Sequence, residues 1–457
     1  MTSARKWTTA AWTAIGGDST LLDTLVFRGE GCLPSAYAIT DFASAAIATA
    51  ALSVAELLGH RGERPEVIVD RRFASFWFGW SLRPLGWNRP SERDPIAGDY
   101  RAADGWIRVH TNAPHHRAAA ERVLGPQTDH ETMAHAIAPW AKRDLENAIV
   151  EAGGCAAEMR SSDEWARHPQ GMAVAAEPLV HIAATGAAPE LKLMSSTRPL
   201  EGLRVLDLTR VLAGPVATRF LAGYGAEVLR IDPPTWDEPG VVPEVTLGKR
   251  CARLDLHDRR DRAVFETLLS QADILLHGYR ADALAGLGYD AAARAALRLG
   301  LIDVSLDAYG WSGPWASRRG FDSLVQMSSG IADTGMRRYH ADRPVPLPVQ
   351  ALDHATGYLL AATAIKAVST RLTQGSGTQA RLSLARTARF LVDGDDGSGA
   401  IERMPCAPES ADDLAADLET TNWGAARRVL PPVVVEGAPM SWRYPASPLG
   451  SSAASWP

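Results

Sequence analysis

From Pro199 to about Ala308, short apolar runs alternate with amphipathic stretches, the pattern of buried parallel strands joined by crossover helices. RVLDLT (204–209), EVLRID (227–232), ARLDL (252–256), DILLH (273–277) and LIDVSL (301–306) read as strands. Helices are expected to open near Pro215 and to run over about 260–271 and 291–298. A loop-rich stretch, 307–348, then leads to a long helix over about 353–372, a GSG turn at 375–377 and a strand, QARLSLA. The fold class this predicts is α/β, with a doubly wound parallel-sheet large domain. Such sheets bind ligands beyond the carboxyl ends of their strands.

The first half has a different texture. It predicts a helix over 41–58, a turn at 60–65, a strand EVIVD (66–70), a strand-like DGWIRVH (104–110) and helices near 116–123 and 143–152. It also holds an echo of the second half. ITDFASAAIATAALSVAELLGHRGERPEVIVDRRFA and ALDHATGYLLAATAIKAVSTRLTQGSGTQARLSLARTA share one order: aspartate, helix, small-residue turn, strand, then Arg-x-Ala. Asp41 falls opposite Asp353, which favours a duplication over chance. The organisation expected is an aspartate-helix segment of a partial first repeat (1–92) and a smaller α+β domain (93–182). An Ala/Pro linker (183–200), a Rossmann-like domain (201–391) and an extended, partly mobile tail (392–457) follow.

Composition narrows the function classes. At 457 residues, 46% hydrophobic and 22% charged, the chain is a folded protein of more than one domain. A net charge of −6 offers no basic footprint, so nucleic acid is not an expected partner. Cys32, Cys155, Cys251 and Cys406 are scattered, as reduced thiols of a cytoplasmic protein would be. The stretch 1–18 lacks the apolar core of a signal peptide, and the apolar run 42–58, interrupted by Glu56, reads as a buried helix and not a membrane span.

Several familiar sites are missing. His130-Glu131 with His135 puts the second histidine one residue late for a shared zinc, and His115-His116 reads as surface polarity. No GxSxG elbow, P-loop or GxGxxG occurs. Neither a metal nor a tightly bound cofactor is therefore expected. Asp353 follows a Pro-rich loop at a helix start, where the dipole favours a carboxylate by ~0.3–1 kcal/mol and where most aspartates are caps.

Four segments change that reading. PLEGLRVLDLTRVLAGPVATRFLAGYGAEVLRIDPP, ADILLHGYRADALAGLGYD, DVSLDAYGWSGPWASRRGFDSLVQMSSGIADTG and LPVQALDHATGYLLA, in that order, closely resemble the class III (CaiB/BaiF) CoA-transferase family over about 199–391. GDYRAADGWIRVHTN and AAEMRSSDEWARHPQG are similar to the family's small domain and the region after it, so the chain looks like a fused, partly duplicated member. The resemblance implies transfer of coenzyme A between an acyl-CoA and a carboxylic acid, in a homodimer, with CoA as substrate. It carries the nucleophile onto Asp353, with Asp41 as a possible second copy. It implies CoA contacts at Arg210, Val211, Leu212, Ala213 and Gly214 and at Arg280, with Lys249 and Arg250 as candidates for the 3′-phosphate. Two departures stand out: Pro233-Pro234 replaces the usual basic residues after EVLRID, and no glycine run follows EVIVD. Racemases of the same family carry a histidine where this chain has Phe321, and phenylalanine cannot relay a proton, so transfer is favoured over racemisation. Asp322 either orients the site or caps a helix, and the structural role is the one favoured. A degenerate CoA-binding subunit is the remaining alternative.

Overall fold

A computed structural model describes residues 2–91, 94–191, 197–278, 283–395, 397 and 404–457. The chain opens with α1 (Ser3–Ala14), β1 (Leu25–Arg28), α2 (Ile39–Gly59), β2 (Val67–Asp70), α3 (Arg71–Phe78) and β3 (Leu82–Pro84). A small unit follows: β4 (Gly98–Ala102), β5 (Gly105–Val109), α4 (Pro114–Leu124), α5 (His130–Ile137), α6 (Lys142–Glu151) and β6 (Ala156–Glu158). Then come α7 (Ser162–Arg167), α8 (Pro169–Ala176) and β7 (His181–Ala187).

The large unit contains β8 (Arg204–Leu208), α9 (Ala213–Gly223), β9 (Glu227–Asp232), α10 (Val242–Val245), β10 (Lys249–Arg253), α11 (Arg259–Ser270), β11 (Ile274–His277), α12 (Ala283–Gly286) and α13 (Ala291–Leu297). It continues with β12 (Ile302–Asp307), α14 (Asp322–Ser328), α15 (Ile331–Arg338), α16 (Ala351–Gln374), β13 (Ser376–Ser383) and α17 (Leu384–Gly394). The last strands are β14 (Glu419–Thr421), β15 (Gly424–Arg428) and β16 (Val433–Val435).

Seven strands form the main sheet in the order β10-β9-β8-β11-β12-β13-β7. The first six run parallel and β7 lies antiparallel to β13. Counting from β8, the parallel strands stand in the order 3-2-1-4-5-6, the Rossmann arrangement, with its direction reversing between β8 and β11. The third strand lies at 249–253, earlier than the expected 252–256, because Leu254 and the residues after it turn toward α11.

Three boundaries need correction. The supposed linker contains β7, whose backbone pairs with β13, so 183–187 is sheet. The small unit's own core, built from Ile96, Tyr100, Ile107, Met133, Leu145 and Ile149, ends with β6, earlier than residue 182. The tail is more than an extended segment where described: β15 pairs with β3, β16 pairs with β2, and Trp456 donates to the Leu268 carbonyl. Its irregular look in sequence reflects strands of only three to five residues separated by Pro and Gly.

The echo is a structural repeat. α2-β2-α3 and α16-β13-α17 have the same order, and each long helix is entered through an inverse γ-turn, at Ala38 (φ −75°, ψ 64°) and at Gln350 (φ −72°, ψ 65°). Each central strand has one parallel neighbour and one antiparallel one: β1 and β16 beside β2, β12 and β7 beside β13. α2 is long and apolar enough to cross a membrane, but every residue except Glu56 and Gly59 is buried in the protein.

α16 meets α9 through Gly357, where a Cβ would lie 2.5 Å from the Ala213 carbonyl oxygen and 2.9 Å from Val216. Gly357→Ala is expected to lower stability by about 1–3 kcal/mol, read as a lower urea midpoint at unchanged slope.

Candidate functional site

A cleft of about 350 Å³ opens at the reversal point of the main sheet. Its floor is formed by Leu208 at the end of β8, Gly278 after β11 and Leu306–Ala308 at the end of β12, where an open doubly wound sheet places its ligand. Asp353, the third residue of α16, reaches this cleft and is 7% exposed. Its carboxylate has no hydrogen-bond or ion-pair partner among the described residues.

The surrounding charge is arranged against ionisation. No side chain caps α16 at Gln350; instead Asp322 Oδ2 accepts the Leu352 and Asp353 amides at 2.9 and 3.0 Å. Burial, then the like charge of Asp322, holds the Asp353 carboxyl well above the ordinary carboxylate range. Burial raises Asp322 too, to about 6, against the pull of the Asp353 and Leu352 amides and the Gln326 amide. The helix dipole expected to favour an ionised Asp353 is thus outweighed. Asp322 caps a helix, as expected.

Asp41 occupies the third position of α2 but not an equivalent site. Arg71 Nη2 and Nε donate to its Oδ1 at 2.7 and 3.2 Å. Only β1 represents a parallel sheet beside it, and no small unit follows its partner repeat. Of the two copies, only Asp353 stands at the carboxyl end of a full sheet.

The turn after β8 is held from below. Asp207 accepts the Thr209 amide at 2.9 Å and the hydroxyls of Thr209 and Thr218, and Lys249 Nζ reaches the same carboxylate at 3.1 Å. Lys249 is therefore spent inside the protein, with Pro215 O as its other partner, and is not a phosphate ligand. Arg250 is also misassigned: it donates to Ser455 O at 2.7 Å and fastens the C-terminal segment to the edge strand. Arg280 lies outside the described residues. Arg210, Val211 and Ala213 do line the cleft, with the Arg210 guanidinium 4.6 Å above the Trp236 ring. Leu212 and Gly214 are buried behind them, and a Cβ on Gly214 would sit 2.2 Å from Thr209, so glycine is required for this close turn.

The small unit supplies residues that no local motif singles out. His115 and His116, read as surface polarity, line the cleft, and His116 is 4% exposed. Burial brings His116 down to about 4 and His110 to about 3, so both are neutral at physiological pH. His110 stacks on Phe321 with ring centroids 3.8 Å apart. Arg318 ties the cleft loop to this unit through Glu146 Oε1 and the Ala156 carbonyl, each at 2.9 Å. His130 of the rejected metal motif stacks on Tyr100.

Residues 200–399 match the family model described as CoA-transferase family III. Over this segment the chain is similar to CoA-transferase family III. The chain is 28% identical over 323 residues to an acyl-CoA transferase of Gibberella moniliformis, covering 65% of this chain and 56% of that protein. It is 33% identical over 180 residues to the human succinyl-CoA:glutarate CoA-transferase, covering 36% of this chain and 40% of that one. A crystal structure of Rv3272 from Mycobacterium tuberculosis aligns with 43% of this chain and 58% of its own length, at 28% identity and a TM-score of 0.40. The chain thus spans only about half the length of the relatives it matches. The family III segment contains the cleft floor and Asp353, while the histidine wall comes from residues before it.

A carboxyl group with a raised folded-state pKa keeps its proton where the unfolded chain has lost its own, so stability falls as pH rises through that window. Asp353→Asn is therefore expected to raise the unfolding free energy near about pH 8 by on the order of 1–3 kcal/mol, with a correspondingly higher melting temperature. The gain should fade as pH falls toward the ordinary carboxylate range, measured by calorimetry across pH.

Proposed function

We propose that the protein moves coenzyme A from an acyl-CoA to a carboxylic acid, with Asp353 as nucleophile. The observation that carries this reading is a buried, unpartnered carboxylate facing a cleft at the reversal point of a family III sheet. Asp353 Oδ attacks the thioester carbonyl, the C–S bond breaks, and a mixed anhydride and CoA thiolate result. The thiolate attacks the aspartyl carbonyl, releasing the donor acid and leaving an aspartyl-CoA thioester. The acceptor carboxylate attacks that thioester, giving a second anhydride and thiolate. Return of the thiolate to the new acyl carbonyl yields acyl-CoA and restores Asp353.

The site's physical character supports each half of this cycle. A desolvated carboxylate is more basic and more nucleophilic once ionised, and a cleft walled by neutral His116 and by Phe321 limits hydrolysis of an anhydride. Arg210 and Ala283 connect the cleft to a second hollow of about 390 Å³ at the ends of β9 and β10, which suits the nucleotide end of CoA. Pro233, Pro234, Leu254 and Leu256 give that hollow apolar walls for a base. The open first turn of α9 presents amide groups to the pantetheine arm.

Asp353→Ala is expected to abolish transfer by at least about 10³-fold, while Asp41→Ala leaves it within about threefold. Incubation with acyl-CoA followed by hydroxylamine should place a hydroxamate on Asp353 by peptide mass spectrometry. A label on Asp41, or no label with full activity in Asp353→Ala, overturns the reading. The acid limb of kcat/KM should lie above the ordinary carboxylate range and move to lower pH in Asp322→Asn, which keeps an acceptor for the two amides but removes the like charge.

A further inference from the structure

The cleft has a side branch. A hollow of about 290 Å³ opens between the small unit and the 236–241 segment, sharing Val211, Trp236 and Phe321 with the cleft. Ala113, Pro239 and Val241 add to its apolar lining, beside the polar Ser91, His110 and Asn112. An apolar cavity of about 150 Å³ already admits a benzene ring, so size does not restrict the branch to short chains.

Its walls are fixed from behind. Glu238 Oε2 accepts the Val211 amide at 2.9 Å and Trp236 Nε1 at 3.1 Å, holding two walls with one oxygen. The other oxygen of Glu238 is held by Arg230, which is fully buried and forks onto Asp232 at 2.8 and 3.0 Å. Val211 sits at φ 63°, a conformation β-branched residues avoid, and is kept there by this network. Arg210 lies over the Trp236 ring, and His110 backs the Phe321 ring. Both aromatic walls are thus set before any ligand arrives.

The charged side chains on the branch are carboxylates. Asp94, Asp237 and Glu238 line it, and no lysine or arginine does so among the described lining residues. Arg117 occupies Asp94 at 2.9 Å as Arg230 occupies Glu238, so these cations are already committed. A second carboxylate on a substrate tail would meet like charge from these described carboxylates.

We infer that this branch receives the acyl tail of the CoA thioester and selects uncharged tails bearing a ring or branch over tails ending in a carboxylate. The inference rests on the transfer reading of the Asp353 cleft and specifies its substrate class. It sets this chain apart from relatives named for succinyl and glutarate substrates.

Thioether analogues of CoA lack the electrophilic carbonyl and report binding without reaction. Calorimetric titration of the whole protein with CoA, S-ethyl-CoA, S-phenethyl-CoA and S-carboxypropyl-CoA should find the phenethyl analogue at least about tenfold tighter than the ethyl one. The carboxypropyl analogue should be no tighter than ethyl. Val241→Phe, which fills the branch, should bring the phenethyl-to-ethyl ratio close to one, and Val241→Leu should lower it in the same direction by less. Equal affinities for all tails, preference for the carboxypropyl tail, or an unchanged ratio in both Val241 variants overturns the inference while CoA binding leaves the transfer reading in place. Failure to bind CoA at all removes both.

Discussion

The packing of α16 on α2 is the contact on which the rest of the molecule depends. It is the most extensive contact between any two elements, and it joins the two repeats. Residues 351–369 of α16 are all buried except Lys366, which pairs with Glu56 of α2 at 2.7 Å. A helix buried on every side shows no amphipathic stripe, which explains why both segments are rich in Ala, Ser, Thr and Gly. Small residues let α2 and α9 approach α16 from different sides, and Gly357 marks the tightest of these approaches. Because α16 is clamped in this way, the position of Asp353 is fixed by the core and not by the loop before it.

That rigidity has an electrostatic consequence. The first turn of α16 is buried, so its amides need an acceptor within the protein. Asp322 fills that need, and in doing so sets a second carboxyl group beside Asp353. Capping and catalysis therefore oppose each other at one point: the acid that satisfies the helix raises the pKa of the residue proposed to attack. The first repeat resolves the same geometry differently. Arg71 neutralises Asp41, and a paired carboxylate with little sheet beside it is a structural element of the helix start.

Much of the fold was legible because its signals are local. EVLRID coincides with β9, and the other main-sheet strands shift by one to three residues from their apolar runs. Buried parallel strands carry their own signature. As a candidate, Asp353 stands out in the sequence only through the surrounding motif, since a carboxylate at a helix start is usually a cap. The misassignments share one cause. Lys249 and Arg250 are basic residues that open β10, and nothing local distinguishes a lysine committed to Asp207 from one facing a phosphate. His115 and His116 were passed over for the converse reason: the small unit brings them to the cleft across some 240 residues of sequence, and a histidine pair at a helix start carries no sign of what it will face. β7 was missed because its antiparallel edge position tolerates the exposed, Ala-rich composition of a linker.

The pairing of β7 with β13 and of β16 with β2 explains how both halves of the chain contribute to one cleft. β7, which follows the first repeat and the small unit, completes the sheet of the second repeat beside β13. β16, which follows the second repeat, completes the sheet of the first beside β2. Each repeat thus lends its downstream strand to the other, and the small unit belonging to Asp41 by sequence stands over Asp353 by structure. The exchange is not symmetric, because the segment after α17 has no small unit to return. The first repeat accordingly gives up its own cleft and furnishes the second with a histidine wall, a backing for Phe321 and one side of the tail branch. On this arrangement the early aspartate helix serves the packing on α16, and the nucleophile we propose is the single carboxylate Asp353.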